Sequence, residues 1–206
     1  MYSRRSGLIL GFHGCDKSVV DKIILGEDEL NQSVNSYDWL GNGTYFWDYS
    51  YSRALDFAKE LKEKPNKSKN KKPITNPDAI GAVIDLGFCL DLLDYKNIGI
   101  IKETYSLYCD TIEDYNNIPK NKPLNSSKDL LNRFLDCAVI EFLHTIRNVS
   151  GLPPFDSVRG VFWEGGYIYP DAGFKEKNHI QICIRNPNCI KGYFKPRTLN
   201  PKFINV

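Results

Sequence analysis

The chain has 206 residues, 42% hydrophobic and 25% charged, the balance of an ordinary globular protein with enough material for one large domain. Its formal net charge of +2 singles out no acidic partner. No apolar run approaches the roughly 20 residues that cross a bilayer, so no membrane partner is expected. The basic start Met1–Arg5 leads into only a short apolar run, Leu8–Leu10, which His13 and Asp16 interrupt, so it does not read as a signal peptide. The six cysteines, at 15, 89, 109, 137, 183 and 189, form no C-x-x-C pair. His179, Cys183 and Cys189 sit on an alternating strand pattern without a second ligand pair, so no metal is expected. Reduced core thiols and a cytoplasmic location fit this usage.

In chain order, Gly7–Gly11 is a short apolar strand, which Phe12-His13-Gly14-Cys15 closes. Asp16 is placed to cap a helix carrying Val19, Val20, Ile23 and Ile24, and Gly26 ends it. Glu27–Trp39 is polar and reads as a loop. The hinge Leu40-Gly41-Asn42-Gly43-Thr44-Tyr45-Phe46 follows, then a helix from Ser50 with Ala54, Leu55, Phe57, Ala58 and Leu61 on one face. Between Lys59 and Pro77 seven lysines face two glutamates, which reads as an exposed insertion. It is either a solvated loop or a contact for phosphate or an acidic surface; no aromatic side chain interleaves its lysines, so base stacking is not supported. Ala79–Leu86 reads as a buried strand, Phe88–Asp94 as the start of a short helix, and 96–108 as its continuation. Ser127-Lys128-Asp129-Leu130 opens the longest amphipathic helix, with His144 at its polar end. Ser157–Trp163 is a strand, Glu164–Phe174 a glycine-rich loop, and His179–Ile184 alternates as a strand with its isoleucines inward. Cys189–Phe194 is a last strand. This is not regular βαβ alternation, and neither G-x-G-x-x-G nor a P-loop occurs. The expected class is α+β, with split, mainly antiparallel sheets flanked by helices, in a single domain over 1–206.

Two pieces stand out chemically. His13 ends an apolar strand beside Gly14, where a ligand can approach the backbone, although a histidine there also serves structure. In Gly41-Asn42-Gly43-Thr44-Tyr45-Phe46 two glycines allow a tight backbone beside an aromatic pair, a pattern that core packing also uses.

The order of the pieces resembles the first half of the catalytic domain of the poly(ADP-ribose) polymerases and related diphtheria-toxin-like ADP-ribosyltransferases. His13-Gly14, the G-x-G-x-Y-F at Gly41–Phe46, Ser50-Tyr51-Ser52-Arg53-Ala54 and the A-V-I-D-L-G at Ala82–Gly87 carry the resemblance, which covers about the first ninety residues. It implies that NAD is the substrate. His13 would then bond a hydroxyl of the adenosine ribose, and the Gly14 backbone the nicotinamide carboxamide. Tyr45 would stack on the nicotinamide with Phe57 as a second face, Ser52 would meet the carboxamide oxygen, and Gly43 would line the pocket. The family's glutamate on a later strand is replaced here by Asn178-His179-Ile180-Gln181-Ile182. On that strand His179 and Gln181 share the pocket side. Gln181 is the first choice for the third catalytic residue beside His13 and Tyr45, with Glu176 and Asn178 as alternatives. The lost glutamate favours transfer of a single ADP-ribose unit to a macromolecule, protein or nucleic acid. An NAD glycohydrolase and an inactive NAD or ADP-ribose binder are the other readings, and a toxin role follows from resemblance alone. Tyr167, Tyr169 and Phe174, in the loop before that strand, are candidate acceptor contacts or loop anchors.

Overall fold

The computed structural model describes residues 7–64, 73–123 and 129–203. Strand β1 (Ile9–Asp16) runs without interruption through the segment expected to close it. It passes into helix α1 (Lys17–Ile24), whose N-cap Asp16 accepts a bond from Ser18 N–H at 2.9 Å. Gly26 leaves that helix at φ +73. Strand β2 (Thr44–Asp48) follows the hinge and helix α2 (Tyr51–Glu63) follows it. The beginning of the expected insertion is therefore helix, most of its lysines lie outside the described residues, and its end folds back. There Thr75 and Asn76 N–H both donate to Asp16 Oδ2 at 2.8 Å, delivering the chain to β3 (Pro77–Ile84).

The segment expected to begin a helix at Phe88 is instead a strand, β4 (Cys89–Asp91), and helix α3 (Tyr95–Asp110) starts behind its cap Asp94. The reason is tertiary: Leu90 is fully buried, and β4 pairs in parallel with β5 (Ser157–Phe162). The long helix α4 (Phe134–Val149) starts later than its apolar stripe suggested. Leu130 and Leu131 precede it, and the Asn121 side chain accepts the N–H of Leu135 at 2.9 Å at its first turn. Strands β6 (His179–Ile184) and β7 (Ile190–Phe194) complete the chain. No helix among the described residues is long and apolar enough to cross a membrane.

The strands form one seven-stranded sheet in the order β4-β5-β6-β2-β1-β3-β7, antiparallel except for β4–β5, so the α+β class holds. Both faces are covered. On one, α2 packs over Phe12, Trp47 and Ala79, while α4 packs over Val158 and Cys183 through Ile140 and Leu143. On the other, Phe46, Ala82, Ile84, Ile182 and Ile184 form a second core, continued by α1 through Val20 and Ile23 against Ile80. The isoleucines of β6 face this second core as expected, but Cys183 on the opposite face is equally buried. Complete burial of a ring such as Phe46 stabilises the fold by about 2–3 kcal/mol.

Candidate active site

The sheet order makes β1, β2 and β6 neighbours, so three segments distant in sequence meet at the middle of the sheet. Strands β1 and β2 pair over only two positions, Gly11 with Asp48 and Phe12 with Trp47. Tyr49 N–H donates to Leu10 O at 2.9 Å, so along this edge β1 turns Leu10, Phe12 and Gly14 toward β2. The next hydrogen-bonded pair of a continuous ladder is Gly14 with Tyr45. It is replaced: His13 Nδ1 lies 2.7 Å from Tyr45 O and takes the carbonyl that Gly14 N–H would have used. A carbonyl only accepts, so His13 carries its proton on Nδ1 and Nε2 is the ring's acceptor when neutral. The β1–β2 ladder therefore ends before Gly14, which is itself buried.

Gly14 has a second constraint. A Cβ there would lie 2.0 Å from Ala54 O, so only glycine lets α2 sit this close to β1. The hinge glycines also serve packing. A Cβ on Gly41, at φ +79, would meet Glu141 Oε1 at 2.4 Å, and one on Gly43 would meet Ile184 O at 2.5 Å. Gly43 is thus accounted for by its approach to β6. The hinge is pinned by α4: Glu141 Oε1 accepts Asn42 N–H at 2.7 Å and pairs with Arg185, whose Nη1 donates to Asn42 O at 3.0 Å. Burial works against the Glu141 charge, but Arg185 and the Asn42 N–H outweigh it and hold the carboxyl below its ordinary value.

Cross-strand pairing sorts the expected site residues by face. Tyr45 pairs with Cys183 and Trp47 with Gln181, while Gly160 pairs with Gln181 and Phe162 with His179. Tyr45, Trp47, His179 and Gln181 therefore share the face that α2 and α4 cover. His13 belongs by alternation to the other face, beside Phe46 at 6.1 Å between ring centroids, and joins the group through the Tyr45 carbonyl. The Tyr45 hydroxyl is anchored inward: it accepts from Leu40 N–H at 3.1 Å and donates to Gly41 O at 2.8 Å. Burial, with Cys183 and Asp38 adding to it, pushes that phenol well above its ordinary pKa. As a whole residue Tyr45 is only partly exposed, with its ring packed against the core formed by Leu40, Val158 and Cys183.

Gln181 Oε1 accepts from Trp39 Nε1 at 2.8 Å, an orientation fixed by the indole being a pure donor. Its amide NH2 has no protein partner among the described residues and is the part offered to a ligand. His179 lies between Phe162 and Trp47, at 5.2 and 6.0 Å between ring centroids. Its Nδ1 donates to Lys177 O at 2.6 Å, and burial is the main cause that brings its pKa down to about 4, leaving it neutral at pH 7. Phe57 is half-buried and tilted on Trp47 at 4.9 Å, so it closes the same region from α2.

Other expectations change. Ser52 is exposed, because the inward side of α2 carries Ala54 and Ala58, flanked by Arg53 and Phe57. It does not face the site, and Arg53 is the polar residue of that turn which does. Glu176 and Asn178 are exposed in the loop before β6, outside the Gln181 face. Tyr167, Tyr169 and Phe174 are exposed on that loop too, and Tyr167 lies against Lys175 Nζ at 5.4 Å. His144 is not at a solvated helix end: it is 7% exposed, edge-on to Phe155, with burial lowering its pKa to about 4.

Comparison with protein-family models, with curated proteins and with solved structures finds no match to this chain. The site stands on its own geometry.

Three features were missed in the sequence. Trp39 covers Gln181 and stacks near Phe162 at 4.9 Å, with the Arg133 guanidinium 5.8 Å from its ring centre. Arg53 lies 5.7 Å from the centre of Trp47 and pairs with Glu164 at 3.3 Å and Glu60 at 3.4 Å. On the opposite face the buried Arg159 bonds Asp48 Oδ2 through Nε at 2.8 Å and Asp91 through Nη1 at 3.2 Å, tying β5 to β2 and β4. An arginine in the apolar run Ser157–Phe162 was the signal for this last one, because a buried cation needs partners.

Proposed function

We propose that the protein is an NAD-dependent mono-ADP-ribosyltransferase, which breaks the nicotinamide–ribose bond and passes ADP-ribose to a macromolecular acceptor. The observation that carries this reading is the interruption of the β1–β2 ladder after Phe12–Trp47, where the His13 side chain takes the Tyr45 carbonyl. His13 does so from one face of the sheet, and Gly14, Tyr45 and Gln181 lie on the adjoining strands β1, β2 and β6 at mid-sheet. These groups suit a flat ring bearing a carboxamide and a sugar with vicinal hydroxyls. Backbone at Gly14 matches the carboxamide, the Tyr45 ring offers a shelf, the Gln181 NH2 offers a hydrogen bond to a ribose oxygen, and His13 holds the Tyr45 carbonyl that sets the shelf. Departure of nicotinamide builds positive charge on the ribose, and a pocket that holds ring and sugar fixed lowers the cost of that state. Gln181 carries no charge, so it orients rather than neutralises.

The test is incubation with NAD labelled on the adenylate, with and without cell extract. Label on a macromolecule supports transfer. Free ADP-ribose alone would replace transfer with hydrolysis, and binding without turnover would leave a binding module, the reading that Trp39 occupying the Gln181 oxygen favours. No binding of NAD refutes the pocket.

A further inference from the structure

Beside the Gln181 amide, neighbouring side chains carry buried polar atoms without a hydrogen-bond partner among the described residues: Trp47 Nε1, Arg53 Nε and His179 Nε2. They are grouped. The Trp47 ring centre lies 6.0 Å from that of His179 and 5.7 Å from the Arg53 guanidinium carbon. All three side chains are about nine-tenths buried or more, with Trp47 at 3% exposure and His179 at 9%. A folded protein rarely leaves such atoms unsatisfied, and several in one place call for a shared partner.

The chemistry of that partner follows from the atoms. Trp47 Nε1 and Arg53 Nε are donors and need an acceptor. His179 Nδ1 is committed as a donor to Lys177 O, so Nε2 holds a lone pair and needs a donor. The Arg53 charge is already met by Glu60 and Glu164, and Glu60 also pairs with Lys177 at 2.9 Å, so the slot has no excess positive charge to draw an anion. A carboxylate or phosphate oxygen would accept from Trp47 but would face the His179 lone pair with no proton to give. The walls, Trp47, Phe57, Phe162 and the imidazole, are aromatic.

We propose that the Trp47–Arg53–His179 slot binds one neutral ligand group that both accepts and donates a hydrogen bond, a primary carboxamide or an alcohol hydroxyl. The slot then selects the amide or sugar form of a ligand over its carboxylate form. This rests on the proposed reading of the adjoining interrupted β1–β2 ladder as an NAD pocket, and NAD contains both groups: the carboxamide on nicotinamide and hydroxyls on the riboses.

The experiment uses the intact chain with nicotinamide, nicotinic acid and ADP-ribose as separate probes. Affinity is measured by calorimetry, and the ring nitrogens of the three histidines are followed by NMR. The expected result is that nicotinamide or ADP-ribose moves the His179 Nε2 resonance, the one that does so naming the source, while nicotinic acid does not. Trp47→Phe removes the indole N–H and keeps a ring; it should weaken that ligand roughly 5- to 100-fold, the range for leaving one buried partner unpaired. His179→Phe should abolish the preference for nicotinamide over nicotinic acid and serves if Trp47→Phe does not fold. Binding of nicotinamide or ADP-ribose with an unmoved His179 resonance and unchanged affinity in the variants overturns the slot and leaves the NAD reading standing. Absence of binding by NAD and all three probes overturns both.

Discussion

Glu141→Gln is the substitution that most sharply separates the hinge account from a loose loop. Glu141 lies on α4, far in sequence from the hinge, yet it accepts Asn42 N–H at 2.7 Å and pairs with both Arg185 amino groups. The glutamine amide keeps an oxygen for Asn42 but loses the charge and turns an NH2 toward the guanidinium. A hydrogen bond to a charged group contributes about 1.5–3 kcal/mol, and more than one is weakened here. The pair is partly exposed, at 19% and 30% for the two side chains, so solvent screening brings the expected loss down to about 2 kcal/mol. For a chain of this size that is a fall of about 4–8 °C in Tm. The same hinge supplies Leu40 N–H and Gly41 O to the Tyr45 hydroxyl, so turnover of NAD should fall with the melting temperature. Calorimetric melting alongside nicotinamide release measures both. A variant with Tm within about 1 °C of the parent and undiminished turnover refutes the pinning role.

Gly14→Ala should be among the most damaging single changes, because its Cβ would meet Ala54 O and force α2 outward; a urea melt should show a loss of about 1–3 kcal/mol, and turnover should vanish. Tyr45→Phe keeps the ring but strands Leu40 N–H and Gly41 O, so stability should drop by about 1–3 kcal/mol by urea melt while nicotinamide affinity stays near that of the parent. His144 and His179 have folded pKa values of about 4, below the roughly 6.5 of an unfolded histidine, because burial disfavours their charge. Their contribution is fully present above pH 6.5 and is lost as pH falls toward 4. Each should therefore cost about 2 kcal/mol at pH 5, and His144→Leu should flatten part of the pH dependence of denaturant melts between pH 7 and pH 5.

The sheet was largely legible because its strands alternate or run apolar between turn residues: Ile180, Ile182 and Ile184 announced β6, and Ala79–Ile84 announced β3. Strand β4 was not, because three residues carry no periodicity and its state is decided by pairing with β5. The start of α4 was misplaced because Leu130 and Leu131 continue the apolar stripe, while Asn121, from another segment, meets the first turn at Leu135. Motif order singled out His13, Gly14 and Tyr45, and strand alternation Gln181; their strands β1, β2 and β6 are neighbours in the sheet. Ser52 was not, since a residue's direction depends on the phase of α2, which the burial of Ala54 and Ala58 sets. Trp39 and Arg53 were missed for a related reason: a tryptophan in a polar loop and an arginine in a helix gain meaning only when folding brings Gln181 and Trp47 to them.

Nicotinamide release from NAD by the parent chain and by His13→Ala, with far-UV circular dichroism to verify folding, tests the proposed NAD pocket at the β1–β2 ladder break most directly. The account predicts steady release by the parent and a loss of roughly 100-fold or more in the variant, the scale of a misplaced reacting group. A folded His13→Ala protein that releases nicotinamide at the parent rate, or a parent that neither binds nor cleaves NAD, would contradict it.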